Sequence, residues 1–298
     1  MANFWCRKLI LPKEIIRTIE QLCSRFFWKG SNLPAKGARV SWWKICLLRS
    51  EGGLGVQDIG GWNKAYIVQL IRKLLANEGS LWVAWLRAYV IRNGNFWQMN
   101  IPKNVSWNFE CLLKAKPSAF HLLVDPANLN ARRIWENMCV KEPKVPWQRL
   151  VWFPGRIPKH SIIVWMAILN RLPTRVRLQK MGLNIDDVNC LLCGLEAETR
   201  DHLFFNCSFA KNLWGSILAL CGISHAVSSW DDVLAWAIHC LKGNSFIVKI
   251  FKLAWAGHVY CIWRERNGRL FGNTARSMDV VLKDIKEVIR IRLAVFVP

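Results

Sequence analysis

The sequence predicts a mainly α-helical protein with two bundle-like helical halves and a small cysteine- and histidine-containing knuckle inserted between helices. Three observations predict this class. Apolar residues recur every three or four positions in many segments, which is the period of an amphipathic helix. Prolines and glycines bound these segments. Apolar residues also make up 52% of the 298 positions, enough to bury a sizeable core.

The first predicted helix begins at Pro12 and ends at Gly30, residue types that suit a helix start and a helix stop. Its apolar stripe consists of Ile15, Ile19, Leu22 and Phe26. The glycines of the following segment predict tight turns, because no lysine–serine/threonine pair follows them as in a phosphate-binding loop. A second helix is predicted from Trp62 to Asn77, and a third follows Ser80.

The segment from 93 to 130 has the least regular pattern. Its prolines interrupt short apolar runs, which predicts loops, short helices and a domain boundary. Beyond it, a short helix is predicted over ARRIWENMCV and another from Pro158 to about Arg171. Thr174 is predicted to cap the next helix, which stops at Gly182. The remaining helices are predicted after Ser208, over residues 228–243, up to residue 271 and after Ser277.

The charge of the chain indicates an acidic partner. A net charge of +22 is extreme for a globular protein, and nucleic acid is the first candidate. The alternative is a basic surface with no specific partner. The N-terminal stretch has neither the apolar region nor the cleavage site of a signal peptide. The most apolar window, Phe246–Trp263, contains two lysines and a histidine, which favours a buried or amphipathic helix over a membrane span.

A cluster with the spacing C-x2-C-x8-H-x4-C stands out from the dispersed cysteines. It consists of Cys190, Cys193, His202 and Cys207. Three thiolates and one imidazole suit zinc better than magnesium or calcium. Four protein ligands leave no open position for a catalytic water, so the pattern predicts a structural CCHC zinc knuckle. The alternative is that four such residues lie close in sequence by chance.

Two parts of the chain, one around this cluster and one near the N-terminus, resemble a known family. A predicted helix ends near Leu172, Thr174 and Leu178, then C-x2-C follows, then E-x3-H-L-F-x2-C from Glu198. This pattern resembles the zinc-binding domain near the C-terminus of reverse transcriptases encoded by plant non-LTR (LINE-type) retrotransposons. Upstream, LPKEIIRTIEQLCSRFFWKG and VSWWKICLLRSEGGLGVQDIGGWNKA are similar to the region that follows the polymerase palm in the same proteins.

The resemblance implies four regions. They are a thumb- and connection-like helical region at 1–92, an irregular linker at 93–130, the reverse-transcriptase zinc-binding domain at 131–222, and a C-terminal helical tail at 223–298.

The resemblance also implies what polymerase chemistry would need. An aromatic-x-Asp-Asp hairpin holds the two metal ions in the family. The pairs Asp186-Asp187 and Asp231-Asp232 have no aromatic residue two positions earlier, and no segment resembles fingers, palm or endonuclease. The simplest interpretation is a truncated copy with an internal deletion. We therefore expect no enzyme activity and assign no catalytic residue.

The first functional hypothesis is zinc-dependent binding of nucleic acid, with RNA as the expected partner. Five basic residues just ahead of the cluster are expected to contact phosphates: Lys159, Arg171, Arg175, Arg177 and Lys180. The alternative for them is a solvated helix face. Trp165 and Trp214 are candidates for stacking on bases, but their place on apolar stripes favours core packing.

The second hypothesis is a protein-interaction module or self-associating helical scaffold with no nucleic-acid role. Salt-dependent affinity for RNA would favour the first hypothesis, and salt-insensitive self-association the second. In either case we expect no membrane partner and no small-molecule substrate, and the oligomeric state is left open. The expected localisation is nuclear or cytoplasmic.

Overall fold

The computed structural model describes residues 9–29, 39–78, 80–92, 94–101, 105–122, 130–139, 141–223, 229–243, 245–272 and 274–294. The chain divides into two compact units, Met1–Pro143 and Lys144–Pro298. Within the described residues both units are helical and contain no β-strand, only an isolated antiparallel bridge between Asn189 and Ala197. The mainly α-helical class is therefore confirmed.

The first unit is formed by helices of very different lengths. They are α1 (Lys13–Lys29), α2 (Trp42–Cys46), α3 (Ile59–Ala76), α4 (Leu81–Trp85), α5 (Trp107–Lys114), α6 (Lys116–Phe120) and α7 (Ala131–Met138). A 3-10 turn at Arg49–Glu51 follows α2, and a π-helical turn at Leu86–Ile91 continues α4. Helices α5 and α6 lie in the segment predicted to hold short helices and loops.

Helix α3 forms the centre of this unit because it packs along α7 and also contacts α1 and α6. It begins at Ile59, three residues before the predicted start. The carboxylate of Asp58 accepts hydrogen bonds from the backbone N–H groups of Gly60 and Gly61, which caps the helix and makes two apparent helix-breaking glycines part of its first turn. Its predicted end at Asn77 is confirmed.

The second unit contains a long central helix with shorter helices around it. The elements are α8 (Gln148–Val151), α9 (Pro158–Ile168), α10 (Arg175–Lys180), a π-helical turn (His202–Asn206), α11 (Ser208–Leu220), α12 (Trp230–Cys240), α13 (Phe246–Phe271) and α14 (Met278–Ala294). Helix α13 packs against α9, α11 and α14. Helix α9 ends before the predicted Arg171, because Asn170 has a left-handed φ of 50° that an α-helix does not continue.

Tryptophans fill the core of the second unit. Trp165 and Trp214 are 0% and 1% exposed, so neither is available to stack on a base, and the core-packing interpretation is confirmed for both. Phe205 lies against Trp214 and against Trp230, with ring centroids 5.9 Å and 5.6 Å apart. These aromatic rings form apolar packing next to the cysteine–histidine knuckle.

Helix α13 is long and apolar enough, by length and composition, to cross a membrane. In the second unit, however, 67% of its most apolar window is buried. Its polar groups Lys252, His258 and Glu265 are also buried among neighbouring elements. This agrees with the prediction of a buried helix.

The four-region division remains a prediction. Along the chain, the boundary between the two compact units falls between Pro143 and Lys144, and α7 packs against α3 in the first unit.

Candidate metal centre

The knuckle is a short loop held by its own backbone. The N–H of Cys190 donates to the carbonyl of Glu196, and the N–H of Gly194 donates to the carbonyl of Cys190, both at 2.7 Å. Gly194 has a φ of +72°, a left-handed conformation that glycine adopts without strain. This turn brings Cys190 and Cys193 to one side of the loop.

A π-helical turn supplies the other two side chains. The N–H of Cys207 donates to the carbonyl of His202 at 2.6 Å, which is the i to i+5 bond of a π-turn. The five-residue spacing of the motif therefore matches one π-turn, and both side chains face the same direction. A regular α-helix would close its turn one residue earlier and rotate Cys207 away.

Four ligand atoms converge within the dimensions of a zinc site. One ligand atom from each of Cys190, Cys193, His202 and Cys207 lies within 4.8 Å of every other. The Sγ atoms of Cys190 and Cys207 are 3.9 Å apart, and Sγ of Cys193 is 3.2 Å from Nε2 of His202. Tetrahedral zinc with ordinary zinc–sulfur bonds places two sulfurs about 3.8 Å apart, so the donor set fits zinc in both chemistry and size.

The second ring nitrogen of His202 faces a carboxylate. Its Nδ1 lies 3.0 Å from Oε2 of Glu196, although the alignment is not that of a formed hydrogen bond. Zinc-bound histidines commonly donate their other N–H to such a group, which fixes the tautomer. With Nε2 toward the cysteines, Glu196 is positioned for this role. Sequence reasoning assigned Glu196 no function.

The thiols interact with one another. The hydrogen bond from Cys190 Sγ to Cys207 Sγ raises the pKa of Cys190 and lowers the pKa of Cys207. The backbone N–H groups of Phe209 and Ala210, at the start of α11, further lower the pKa of Cys207. A zinc ion would replace the proton between the two sulfurs.

A buried ion pair ties the knuckle to α13. Glu198 is 0% exposed, and its carboxylate accepts hydrogen bonds from Nε and Nη2 of Arg266, with a shortest distance of 2.8 Å. The same Oε1 atom accepts the backbone N–H of Arg175 at 3.0 Å. Thr174 lies at the predicted N-cap, but its side chain makes no capping bond. Glu198 therefore satisfies the start of α10.

Arg269 provides a second tie from the same helix. Its Nη1 donates to the carbonyls of Leu191 and Leu192, between the first two cysteines, while its Nε pairs with Glu265. Arg269 therefore holds the knuckle loop against α13.

Two of the five predicted phosphate-contacting residues line one small cleft. Arg177 and Lys180 face a cavity of about 300 Å³, which Thr174, Thr199 and Arg200 also line. Among the described residues, neither Arg177 nor Lys180 forms an ion pair with an acid. Burial and, after it, the nearby charge of Arg171 lower the pKa of Arg177.

The other predicted residues have different surroundings. Arg175 is paired with Asp187 at 2.9 Å and donates to the carbonyl of Asn189. The ammonium group of Lys159 lies over the ring of Tyr260, 5.3 Å from its centroid. Arg171 is exposed. The structure thus brings Arg177 and Lys180 to one cleft and places Arg175 in an ion pair beside the knuckle.

Arg200 and Thr199 were not singled out from the sequence. The hydroxyl of Thr199 accepts the backbone N–H of His202 at 3.1 Å, so a cleft residue directly supports a knuckle residue. Arg200 pairs with Asp201 and lies over the ring of Trp230. Their position between the second cysteine and the histidine was the available sequence signal. Because both belong to the loop, the cleft and the candidate zinc site form one structure.

Comparisons with known proteins agree with this geometry. Residues 130–214 match the family model described as zinc-binding in reverse transcriptase. Over 79 residues the chain is 34% identical to an Arabidopsis thaliana protein named "Putative ribonuclease H protein". That stretch is 26% of this chain and 13% of the Arabidopsis protein. No solved structure matches the chain. The family match and the four-residue cluster together assign zinc as the cofactor.

Proposed function

We propose, from the premise that residues 130–214 are a reverse-transcriptase zinc-binding domain, that zinc here shapes a basic surface that binds nucleic acid. In this proposal Cys190, Cys193, His202 and Cys207 are the four zinc ligands. Four protein ligands complete a tetrahedron, so the ion has no open position for a water or substrate. We therefore propose a binding function without catalysis.

The cleft beside the knuckle is the observation that supports nucleic-acid binding most directly. Arg177 and Lys180 bring two cations to a space that Thr174, Thr199 and the acid-paired Arg200 also line. Guanidinium, ammonium and hydroxyl groups are the donors that bind phosphate oxygens. Since such contacts do not read bases, we propose affinity for the backbone with little sequence preference. Lys159, Arg171 and Arg175 would extend the surface.

We propose RNA as the partner. The family is named for reverse transcriptase and the Arabidopsis relative for ribonuclease H, and both names point toward nucleic acid that includes RNA. A site of three thiolates needs a reducing compartment, which supports a nuclear or cytoplasmic location.

Substitution of the two cleft cations tests this proposal. In Arg177→Gln/Lys180→Gln, single-stranded RNA affinity should fall about tenfold at low salt, equally for unrelated sequences. The slope of log affinity against log salt should decrease by roughly 1.4, since each lost single-strand phosphate contact contributes about 0.7. Fluorescence anisotropy over a salt series, with DNA of the same sequence in parallel, measures both quantities.

The matched control is Lys283→Gln/Lys286→Gln on α14, which removes the same charge from two exposed positions. It should change the salt slope much less than the cleft variant. Equal losses in both variants would show that binding follows overall charge and not the cleft. DNA binding as tight as RNA binding would remove the RNA preference, and cleavage of the labelled strand would contradict the non-catalytic proposal.

An exposed apolar stripe on α1 supports the alternative, a self-associating helical scaffold. Ile15 and Leu22 are 48% and 44% exposed, and Phe26 is 70% exposed. If this stripe drives association, sedimentation of the parent should show oligomers that persist at high salt, and Phe26→Ser should shift them toward monomer. A monomeric parent at micromolar concentration would contradict this alternative and leave RNA binding unaffected.

A further inference from the structure

A cavity in the first unit is lined by acidic and aromatic side chains, whereas the chain as a whole is strongly basic. This cavity is open to solvent, has a volume of about 560 Å³ and lies among α1, α2, α3 and α7. The carboxyl groups of Glu20, Glu51, Asp58 and Glu136 line it, as do Trp42, Trp43 and Trp135. In a protein with a net charge of +22, this is a local concentration of acid and indole groups. Lys64 and Lys141 also line it, and both are exposed.

We propose that this cavity binds an arginine side chain presented on a peptide. Carboxylates and indole faces are the two groups that recognise a guanidinium ion, by charge-assisted hydrogen bonds and by stacking on the ring. Arginine is planar and weakly hydrated, so it enters such a site more readily than a lysine ammonium group does. The cavity lies within one compact unit and does not involve the zinc knuckle, so this proposal is independent of nucleic-acid binding.

The acids are close enough to repel one another. Burial raises the pKa of Glu20 first, and the charge and hydrogen bond of Asp58 raise it further. Asp58 already accepts two backbone N–H groups at the start of α3, and Glu136 is paired with Arg132 at 3.0 Å. A cation bound beside Glu20 and Asp58 would offset this repulsion.

Burial and the same negative charges raise the pKa values of two cysteine thiols in the cavity wall. Burial raises the pKa of Cys46 to about 12, and Asp58 and Glu20 contribute to that rise. Burial, followed by the charges of Asp58, Glu51 and Glu136, also raises the pKa of Cys139. Both shifts disfavour the thiolate form, so the surroundings do not activate either thiol as a nucleophile.

A buried hydrogen-bond donor in the cavity wall indicates that the occupant carries a hydrogen-bond acceptor as well as a cation. Trp135 is 8% exposed, and its Nε1–H has no hydrogen-bond partner among the described residues. Trp62 stacks on this indole with ring centroids 5.5 Å apart and fixes its orientation. A buried N–H without an acceptor is unfavourable, so an occupant with a carbonyl group would satisfy it.

The backbone of α3 lies close to that donor. A Cβ atom at Gly61 would lie 3.0 Å from Nε1 of Trp135 and 2.6 Å from Oδ2 of Asp58. Glycine at this position keeps side-chain atoms out of the space between the donor and the acid. A guanidinium ion has no acceptor, but the peptide carbonyl next to an arginine side chain does. This is the reason for proposing a peptide and not a free cation.

The test uses the 298-residue, zinc-loaded chain with ¹⁵N-labelled tryptophan indoles. The probes are N-acetyl-arginine methylamide, its neutral citrulline analogue of nearly the same shape, and methylguanidinium. The indole resonance of Trp135, identified by its loss in Trp135→Phe, should shift as the arginine probe saturates. The citrulline analogue and methylguanidinium should each bind at least about tenfold more weakly, because one lacks the charge and the other the carbonyl.

Substitutions of single acids test whether the arginine probe binds in this cavity. Glu20→Gln and Glu136→Gln should each weaken binding of the arginine probe severalfold, whereas Glu110→Gln, an acid of α5 that does not line the cavity, should not. Unchanged thermal unfolding of each variant, with the other indole resonances in place, verifies the fold. Citrulline binding as tight as arginine binding, or equal losses in all three acid variants, would overturn the proposal.

Discussion

Cys193→Ser is expected to remove bound zinc and to unfold the knuckle. The parent protein, purified without added metal, should carry about one zinc per chain, and the variant close to none. The loop is too short to bury a core of its own, so its order depends on the ion. At free zinc a thousandfold above the dissociation constant, the parent gains about 4 kcal/mol of folding free energy that the variant lacks.

Metal analysis and urea unfolding measure the two effects, and Cys240→Ser is the matched control. Cys240 is an exposed cysteine of the second unit outside the cluster, so its replacement should leave zinc content and stability unchanged. A parent protein that folds without zinc would contradict the proposed ligand set. If Cys193→Ser retains its zinc, one of the four ligands is wrongly assigned.

The same substitution should also weaken RNA binding. Thr199 and Arg200 lie between the second and third ligands, and Thr199 bonds directly to the backbone of His202. Loss of the ion would therefore disorder one wall of the cleft. Full RNA affinity in a zinc-free variant would show that binding does not depend on the metal.

Arg266→Ala is expected to destabilise the second unit by about 3–5 kcal/mol, because it leaves the carboxylate of Glu198 buried without its partner. Glu198 is 0% exposed and the Arg266 side chain is 2% exposed, so water cannot replace the lost hydrogen bonds. The start of α10 would lose support as well, since Glu198 also accepts the N–H of Arg175. Thermal or urea unfolding measures the loss.

The control lies two residues earlier on the same helix. Arg264 pairs with Asp284, but both side chains are more than a third exposed, and such surface pairs contribute about 0–1 kcal/mol. Arg264→Ala should therefore have a small effect. The double variant Glu198→Leu/Arg266→Leu should lose less stability than Arg266→Ala, because it leaves no unpaired buried charge. A loss for Arg266→Ala no larger than that for Arg264→Ala would contradict the buried-pair account.

The zinc cluster and most helices were predictable because their signals are local. The C-x2-C and H-x4-C spacings each fit a single turn, and the structure forms them with a glycine turn and a π-turn. The first helix, predicted between Pro12 and Gly30, is confirmed to within one residue at each end. The central helix begins at Ile59 and not Trp62, because its cap depends on Asp58, which precedes two glycines that indicate a break.

The tertiary structure alone decided what each charged residue does. Glu198 and Arg266 are 68 positions apart, so no local pattern could predict that they form a pair. Because both side chains are buried, this pair holds the knuckle against α13. The five basic residues looked equivalent in sequence, yet folding turns Arg175 toward Asp187 and Arg177 and Lys180 toward one cleft. Composition and spacing determined that this chain is helical and holds a zinc-type cluster. The partners of its charges follow from long-range packing, because electrostatic interactions depend on distance in space and on burial, which sequence order does not specify.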